Sequence, residues 1–292
     1  MTAATAAHPF LERVAARVRA TGGLLCLGLD PEPGALPPGF PAGPEGVERF
    51  ARLLLDAAGP YAAAVKPNLA FWEAFGSPGL AALERVRRAI PSDLPVLADA
   101  KRGDIGSTAA KHAAALFDTL GADAVTVSPY LGGDALGPIL ARGDRFAFVL
   151  CRTSNPGAGE LQSLRVAADA AAGLPEEPLY LRVARHAHRW GERHGNVGLV
   201  VGATAPDELR AVRATVPDLA FLVPGVGAQG GEVEVVLAAG RAEQGAVAAL
   251  PGGGLLVNVS RGISAAALGR LDAGAAVAAA AAEWSARLAV LA

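Results

Sequence analysis

Cysteine is nearly absent, with only Cys26 and Cys151 in 292 residues. Both lie inside apolar, strand-like runs. They read as small buried thiols, which excludes a disulfide framework, and no cysteine or histidine spacing suggests zinc. An excess of either charge is also missing. The 26 basic and 28 acidic residues leave a net charge of −2, so nothing favours a polyanion partner such as DNA. Long uninterrupted apolar runs are lacking as well. Hydrophobic residues make up 52% of the chain, but much of that is alanine broken by charge, as in Leu80-Ala-Ala-Leu-Glu-Arg-Val-Arg-Arg88. Such stretches read as amphipathic helices, not membrane spans. The longest alanine-rich run, 274–282, is too short to cross a bilayer and is followed by Glu283 and Trp284. Near the start, Glu12, Arg13, Arg17 and Arg19 stand at helical spacing without the apolar core of a signal peptide, so a cytoplasmic location is expected.

The most informative stretch that is present is Leu97-Ala-Asp-Ala-Lys-Arg-Gly-Asp-Ile-Gly-Ser-Thr108. A short apolar strand entered through Pro95 ends in Asp99 and Lys101. Residues two apart on a strand point to the same side, so a carboxylate and an ammonium are expected to share one space. Gly103 and Gly106 loosen the backbone, Asp104 adds a second carboxylate, and Ser107 or Thr108 is placed to start a helix over 108–120. Buried charges are expensive unless paired or used. The alternative is a solvated ion-pair cluster at a strand end.

Eight apolar strand candidates follow one another: 24–30, 62–68, the charged strand from Pro95, 124–129, 145–152, 197–202, 220–224 and 255–259. Helical patterns separate most of them, including 8–20, 48–58, 80–90, 180–194 and 206–215, the last with Thr204 as its cap. A Pro- and Gly-rich loop spans 31–46. Alternation of this kind implies parallel strands joined by crossover helices. Eight units in a chain of this size imply a closed (β/α)8 TIM barrel forming a single α/β domain over 1–292.

On that frame the unusual polar residues sort to one end. Asp30, Lys66, Asp99 with Lys101, Ser154, Gln229 and Arg261 each fall at or just after a strand's carboxyl end, the active face of such barrels. Gly225, Gly227, Gly230 and Gly231 after strand seven let backbone N–H groups approach an anion. Ser260-Arg261-Gly262 opens the final helix, where the dipole also favours an anion and Arg261 can fork onto phosphate oxygens. Together these features point to a phosphorylated substrate. His186, His188 and His194 read as solvent-exposed, and His112 as a packing or surface residue.

Five segments, in order, resemble the longer bacterial branch of the orotidine 5′-phosphate decarboxylase family. They are Lys66, Asp99-Ala-Lys-Arg-Gly-Asp-Ile-Gly-Ser-Thr108, Ser154-Asn-Pro-Gly157, Pro224-Gly-Val-Gly-Ala-Gln-Gly230 and Ser260-Arg-Gly-Ile263. The resemblance implies conversion of orotidine 5′-monophosphate to UMP and CO2 in pyrimidine nucleotide synthesis, with no cofactor and no metal. It implies catalytic roles for Lys101, Asp99, Asp104 and Lys66, with Lys101 as general acid. It places Asp30 and Lys66 at the ribose, Ser154 at the pyrimidine edge, and Gln229 and Arg261 at the phosphate. Pro224, Gly230 and Gly262 are implied to line the same substrate site. It also implies a homodimer in which Asp104 and Thr108 reach the neighbouring subunit's site. Two other readings compete: a magnesium-dependent sugar-phosphate decarboxylase or aldolase on a related barrel, and a catalytically silent nucleotide-binding protein. The first would need a further carboxylate near the end of strand two, where Lys66 stands.

Overall fold

A computed structural model describes residues 7–227 and 232–290. Eight parallel strands, β1 (Leu25–Leu29), β2 (Ala64–Pro67), β3 (Leu97–Arg102), β4 (Ala124–Val127), β5 (Phe146–Arg152), β6 (Val197–Val201), β7 (Ala220–Val223) and β8 (Leu255–Val259), form one sheet. Its order is β2-β1-β8-β7-β6-β5-β4-β3. Single parallel bridges between Val65 and Val96 and between Asn68 and Asp99 bring β2 against β3, so the ring is nearly closed. This is the expected (β/α)8 barrel. Strands β1, β2, β4, β6, β7 and β8 are buried at every residue. Strands covered on both faces, by barrel interior and by helices, need continuous apolar runs, which is why these eight segments stand out in the sequence.

The amino-terminal end of the barrel is closed by the helix Pro9–Thr21. Its stripe of Phe10, Leu11, Val14 and Val18 is buried, and the Phe10 ring stacks 5.3 Å from that of Phe146 at the start of β5. Arg13 pairs with Asp123 at 2.5 Å, and Arg17 donates to the Ala62 carbonyl. Asp123 in turn accepts from the Val96 N–H at 2.8 Å. One helix thus ties the entries of β2, β3, β4 and β5 together and leaves the opposite end free.

Several local expectations are corrected. The helix after β3 starts at Gly106, with Ile105 at the cap position and no side-chain cap from Ser107 or Thr108. Gly106, at φ 50°, makes the turn that a capping side chain would otherwise stabilise. Its continuation, Ala114–Thr119, is a π-turn. The helix expected over 48–58 begins at Pro44, a residue pre-set for the first helical position. Thr204 does not cap the helix Pro206–Thr215; its hydroxyl donates to the Ser154 carbonyl at 3.2 Å. His194 is exposed as expected, but His186 stacks on Trp190 and His188 meets Asp218 at 3.1 Å. Both cysteines are free and buried, and burial pushes the Cys26 thiol up to about 12. Among the described residues no helix is long and apolar enough to cross a membrane.

His8 caps the first helix. Its Nδ1 accepts from the Phe10 N–H at 3.1 Å, so Nε2 carries the proton and donates to the Gly143 carbonyl at 3.1 Å. Burial, the largest influence, lowers its pKa below the ordinary 6.5 despite that carbonyl and Asp144. The neutral ring therefore contributes stability in full above the unfolded value, and this is lost as pH falls through 6.5 and below the folded value. Stability should therefore be lower at pH 5.5 than at pH 7.5. Urea denaturation at pH 7.5 and 5.5 should show a smaller pH effect in His8→Asn, which caps without titrating. Equal pH effects in the two proteins would count against the neutral cap.

Candidate active site

The carboxyl-terminal mouth holds a cavity of about 440 Å³. Asp99 stands at its centre. Its Oδ2 accepts from Lys66 Nζ at 2.8 Å, and its Oδ1 accepts from Lys101 Nζ at 2.6 Å and from the Thr126 hydroxyl at 2.9 Å. The three charges alternate in one line. Lys66, on β2, is only 4% exposed. Burial works against charge on both partners, yet the adjacent opposite charges outweigh it. Asp30 and Asp99 hold Lys66 above the ordinary lysine range, while Lys66 and Lys101 hold Asp99 well below the usual carboxylate range.

Asp99 and Lys101 do converge, but not by the simple alternation expected of a strand. Lys101 has φ 49°, and it is the one non-glycine residue with positive φ among those described. The register of β3 against β4 shifts between Ala98 and Arg102. Where the ladder is interrupted, the Lys101 N–H donates to Thr126 Oγ1 at 2.9 Å instead of to a strand partner. Left-handed backbone at a bulky residue costs about 1–3 kcal/mol and persists only where surroundings impose it. Thr126 imposes it here: one hydroxyl accepts from the Lys101 backbone and donates to Asp99. Sequence reading missed Thr126, although a hydroxyl inside the apolar run Ala124-Val-Thr-Val127 is its signal.

Of the other candidates, Asp30, Ser154, Pro224, Arg261 and Gly262 line the same cavity. Asp30 Oδ1 is buried without a hydrogen-bond partner, as are Ser260 Oγ, from the motif that opens the last helical turn, and Asn258 Oδ1, a cavity residue not singled out from sequence. Unpartnered buried polar atoms in a cavity are what a polar ligand completes. Asp104 and Thr108 do not line the cavity. The Asp104 carboxylate accepts from the Ile105 N–H, and Thr108 is exposed. Within one chain, therefore, Asp104 does not extend the ion chain. Gln229 and Gly230, with Gly231, lie outside the described residues.

The turn after β7 does use glycine. Gly225 and Gly227 have φ 98° and 81°. Gly227 also has a packing reason: a Cβ there would lie 2.9 Å from the Trp284 ring, and one on Gly262 would lie 2.9 Å from Trp284 Nε1. Trp284 therefore holds the β7 and β8 turns side by side. The segment opened by Ser260 is a single turn, Arg261–Ser264, and the long alanine-rich helix is the separate Ala273–Arg287. Arg261, exposed at the rim, thus carries more of any anion attraction than a helix dipole does.

A parallel barrel with a fixed ion chain in its mouth and glycine turns after its last two strands is the architecture of a barrel enzyme for a small anionic substrate. The chain belongs to the orotidine 5′-phosphate decarboxylase / HUMPS family, whose model matches residues 23–284. It is 50% identical over 254 residues to an orotidine 5′-phosphate decarboxylase of Thermomicrobium roseum, covering 87% of this chain and 86% of that one. It is 48% identical over 255 residues to one of Halorubrum lacusprofundi, covering 87% of each chain. The structure of Leishmania donovani OMP decarboxylase superposes with a TM-score of 0.78 at 40% identity, covering 95% of this chain and 98% of that one.

Thr126→Val should strand the Lys101 N–H and remove one donor from Asp99. The expected cost is about 1–3 kcal/mol in chemical denaturation, with Thr126→Ser retaining most of the stability. An unperturbed Thr126→Val protein would show that the hydroxyl does not hold β3.

Proposed function

We propose that this chain decarboxylates orotidine 5′-monophosphate to UMP and CO2, a step of pyrimidine nucleotide synthesis, with residues 1–292 as one catalytic domain in the cytoplasm. The observation that carries this reading is the Lys66–Asp99–Lys101 chain in the mouth of the barrel. It is supported by the relatives named above.

Loss of CO2 from C6 of the pyrimidine leaves an electron pair on a carbon with no neighbouring carbonyl placed to absorb it. The protein must supply positive charge and then a proton. The Lys101 ammonium does both: it faces the developing carbanion and transfers a proton to C6. Asp99 holds the Lys101 side chain in place through a 2.6 Å ion pair and stands beside the departing carboxylate. Two carboxylates about 4 Å apart repel by about 4 kcal/mol at an effective dielectric near 20. Neutral CO2 relieves that repulsion as it leaves. Lys66 fixes the far side of Asp99 and, with Asp30, meets the ribose. Ser154 meets the pyrimidine edge. Arg261 and Gln229 bind the phosphate, and Pro224, Gly230 and Gly262 complete the substrate-binding set. No cofactor takes part. Magnesium chemistry is disfavoured because the Asp99 carboxylate is already committed to two ammonium groups.

Asp104 and Thr108 serve the site of a second copy in a homodimer. Ile105, Tyr130 and Leu131 are 59%, 84% and 45% exposed on the adjoining loops after β3 and β4. An apolar surface beside otherwise unused polar candidates favours burial against another chain.

Lys101→Ala should reduce turnover by about a thousandfold or more, while UMP still binds and EDTA leaves the wild-type rate unchanged. Near-normal turnover removes Lys101 as the acid, and UMP binding without wild-type turnover indicates a silent relative. Mixing inactive Lys101→Ala and Asp104→Ala proteins in equal amounts should restore about a quarter of wild-type activity, because half the dimers then contain one intact site. No recovery after subunit exchange would put Asp104 in its own chain's site or outside catalysis.

A further inference from the structure

We infer that Gln162, on the insert after β5 and outside the cavity wall, is a positioning residue that sets the geometry of base recognition. The inference rests on the reading of Ser154 as the group that meets the pyrimidine.

The segment Thr153–Ser154–Asn155 lines the cavity but has no strand or helix of its own. A loop of three residues next to a ligand needs its backbone held from outside. Gln162, the last residue of the one-turn helix Gly159–Gln162, does this with both ends of its amide. Its Oε1 accepts from the Thr153 N–H at 2.9 Å and from Arg152 Nη1 at 3.3 Å. Its Nε2 donates to the Thr153 hydroxyl at 2.8 Å, which donates onward to Asn155 Oδ1 at 2.6 Å. The reversed amide would set its NH2 against two donors, so the network fixes its orientation.

Other elements hold the opposite side of the loop. Arg152 Nη1 donates to the Thr153 carbonyl at 3.0 Å, and its Nη2 reaches Glu208 at 3.3 Å. The Thr204 hydroxyl donates to the Ser154 carbonyl. Gly202 allows the close approach, since a Cβ there would lie 2.8 Å from Ser154 N. The backbone amide and carbonyl of Thr153 and the carbonyl of Ser154 thus have fixed partners from three segments.

The insert that carries Gln162 is itself braced. It ends in a hairpin of Arg165–Val166 with Glu177–Pro178. From the helix Leu179–His194, Arg182 donates to the carbonyls of Ala167 and Pro175, and Arg189 donates to that of Ala172. Arg182 and Arg185 both pair with the buried Glu177. The extra length between β5 and this helix therefore presents one amide to the base-side loop from a fixed support. The ribose candidates Asp30 and Lys66 and the phosphate candidate Arg261 come from the carboxyl ends of β1, β2 and β8, and Gln162 hydrogen-bonds to Arg152 and Thr153 instead, so loss of Gln162 should be felt chiefly by the base.

The test compares wild type, Gln162→Ala and Gln162→Glu as full chains, each checked for thermal unfolding. It measures orotidine 5′-monophosphate turnover and direct binding of UMP and of ribose 5-phosphate. In Gln162→Ala, UMP binding should weaken about tenfold, the scale of one to two net hydrogen bonds, and KM should rise by a similar factor with kcat less affected. Ribose 5-phosphate binding should change by less than about twofold. Gln162→Glu keeps an acceptor for Thr153 N–H and Arg152, and should restore most of the UMP affinity. If Gln162→Ala does not fold, Gln162→Met, which keeps the volume and loses the hydrogen bonds, takes its place. Equal losses for UMP and ribose 5-phosphate, or no loss for either, overturn the inference while a working wild type leaves the decarboxylase reading standing. A wild type that neither turns over nor binds UMP overturns both.

Discussion

Everything in the mouth of this barrel depends on one carboxylate held between two ammonium groups. Lys66 is almost wholly buried among apolar strands, a position that would normally discharge a lysine. Asp99 prevents this, with Asp30 adding to the field. The reverse also holds, since Asp99 stays ionised because Lys66 and Lys101 flank it. The direction of each shift defines where the arrangement is stable. The stabilisation from Asp99 is present above the ordinary carboxylate range and lost as pH falls through its lowered folded value. That from Lys66 is present below the ordinary lysine range and lost as pH rises through its raised folded value. Between those limits Lys66 and Asp99 both stay charged. A buried ion pair is poor evidence of stability, because apolar residues of equal volume often do better. Its value is a field fixed in direction before any ligand arrives.

That expense is tolerated because the two ends of the barrel are built differently. At the amino-terminal end, the helix Pro9–Thr21 lays an apolar stripe and two arginines across the entries of four strands. Burying a side chain the size of Phe10 or Leu11 contributes about 1.5–3 kcal/mol each. The carboxyl-terminal end has left-handed backbone at Lys101, an interrupted ladder and three unpartnered buried oxygens. Each of these costs stability and each lines or shapes the cavity. Conventional packing at one end offsets unconventional chemistry at the other.

This division explains what was legible in the sequence. The eight strands were legible because strands covered on both faces must be continuously apolar. The charges at their ends were legible because nothing in packing calls for them. Lysine usage is a further signal: the chain has only three lysines among its 26 basic residues, and Lys66 and Lys101 are two of them. Where arginine serves nearly every other need, an ammonium marks a place that requires a compact point charge and a transferable proton. The backbone at Lys101 was not legible, since a period of two gives the same juxtaposition from a different conformation. Nor were Thr126 and Gln162. Their roles come from hydrogen bonds to residues brought near by the fold; a hydroxyl in an apolar strand marks Thr126 only faintly, and nothing in its own stretch marks Gln162.

The uneven burial of the ion chain constrains the rest of the site. The Lys101 side chain is 49% exposed, whereas those of Lys66 and Asp99 are nearly covered. At about 4 Å a unit charge interacts with another by about 1 kcal/mol in water and about 4 kcal/mol at an effective dielectric near 20. An ammonium left half in water therefore stabilises a carbanion weakly, however well Asp99 holds it. Strong stabilisation requires that substrate, together with the groups that fold over or pack against this side of the mouth, exclude the water. The binding groups for base, ribose and phosphate are accordingly part of the electrostatic device: by seating the substrate they displace the solvent that would otherwise screen Lys101.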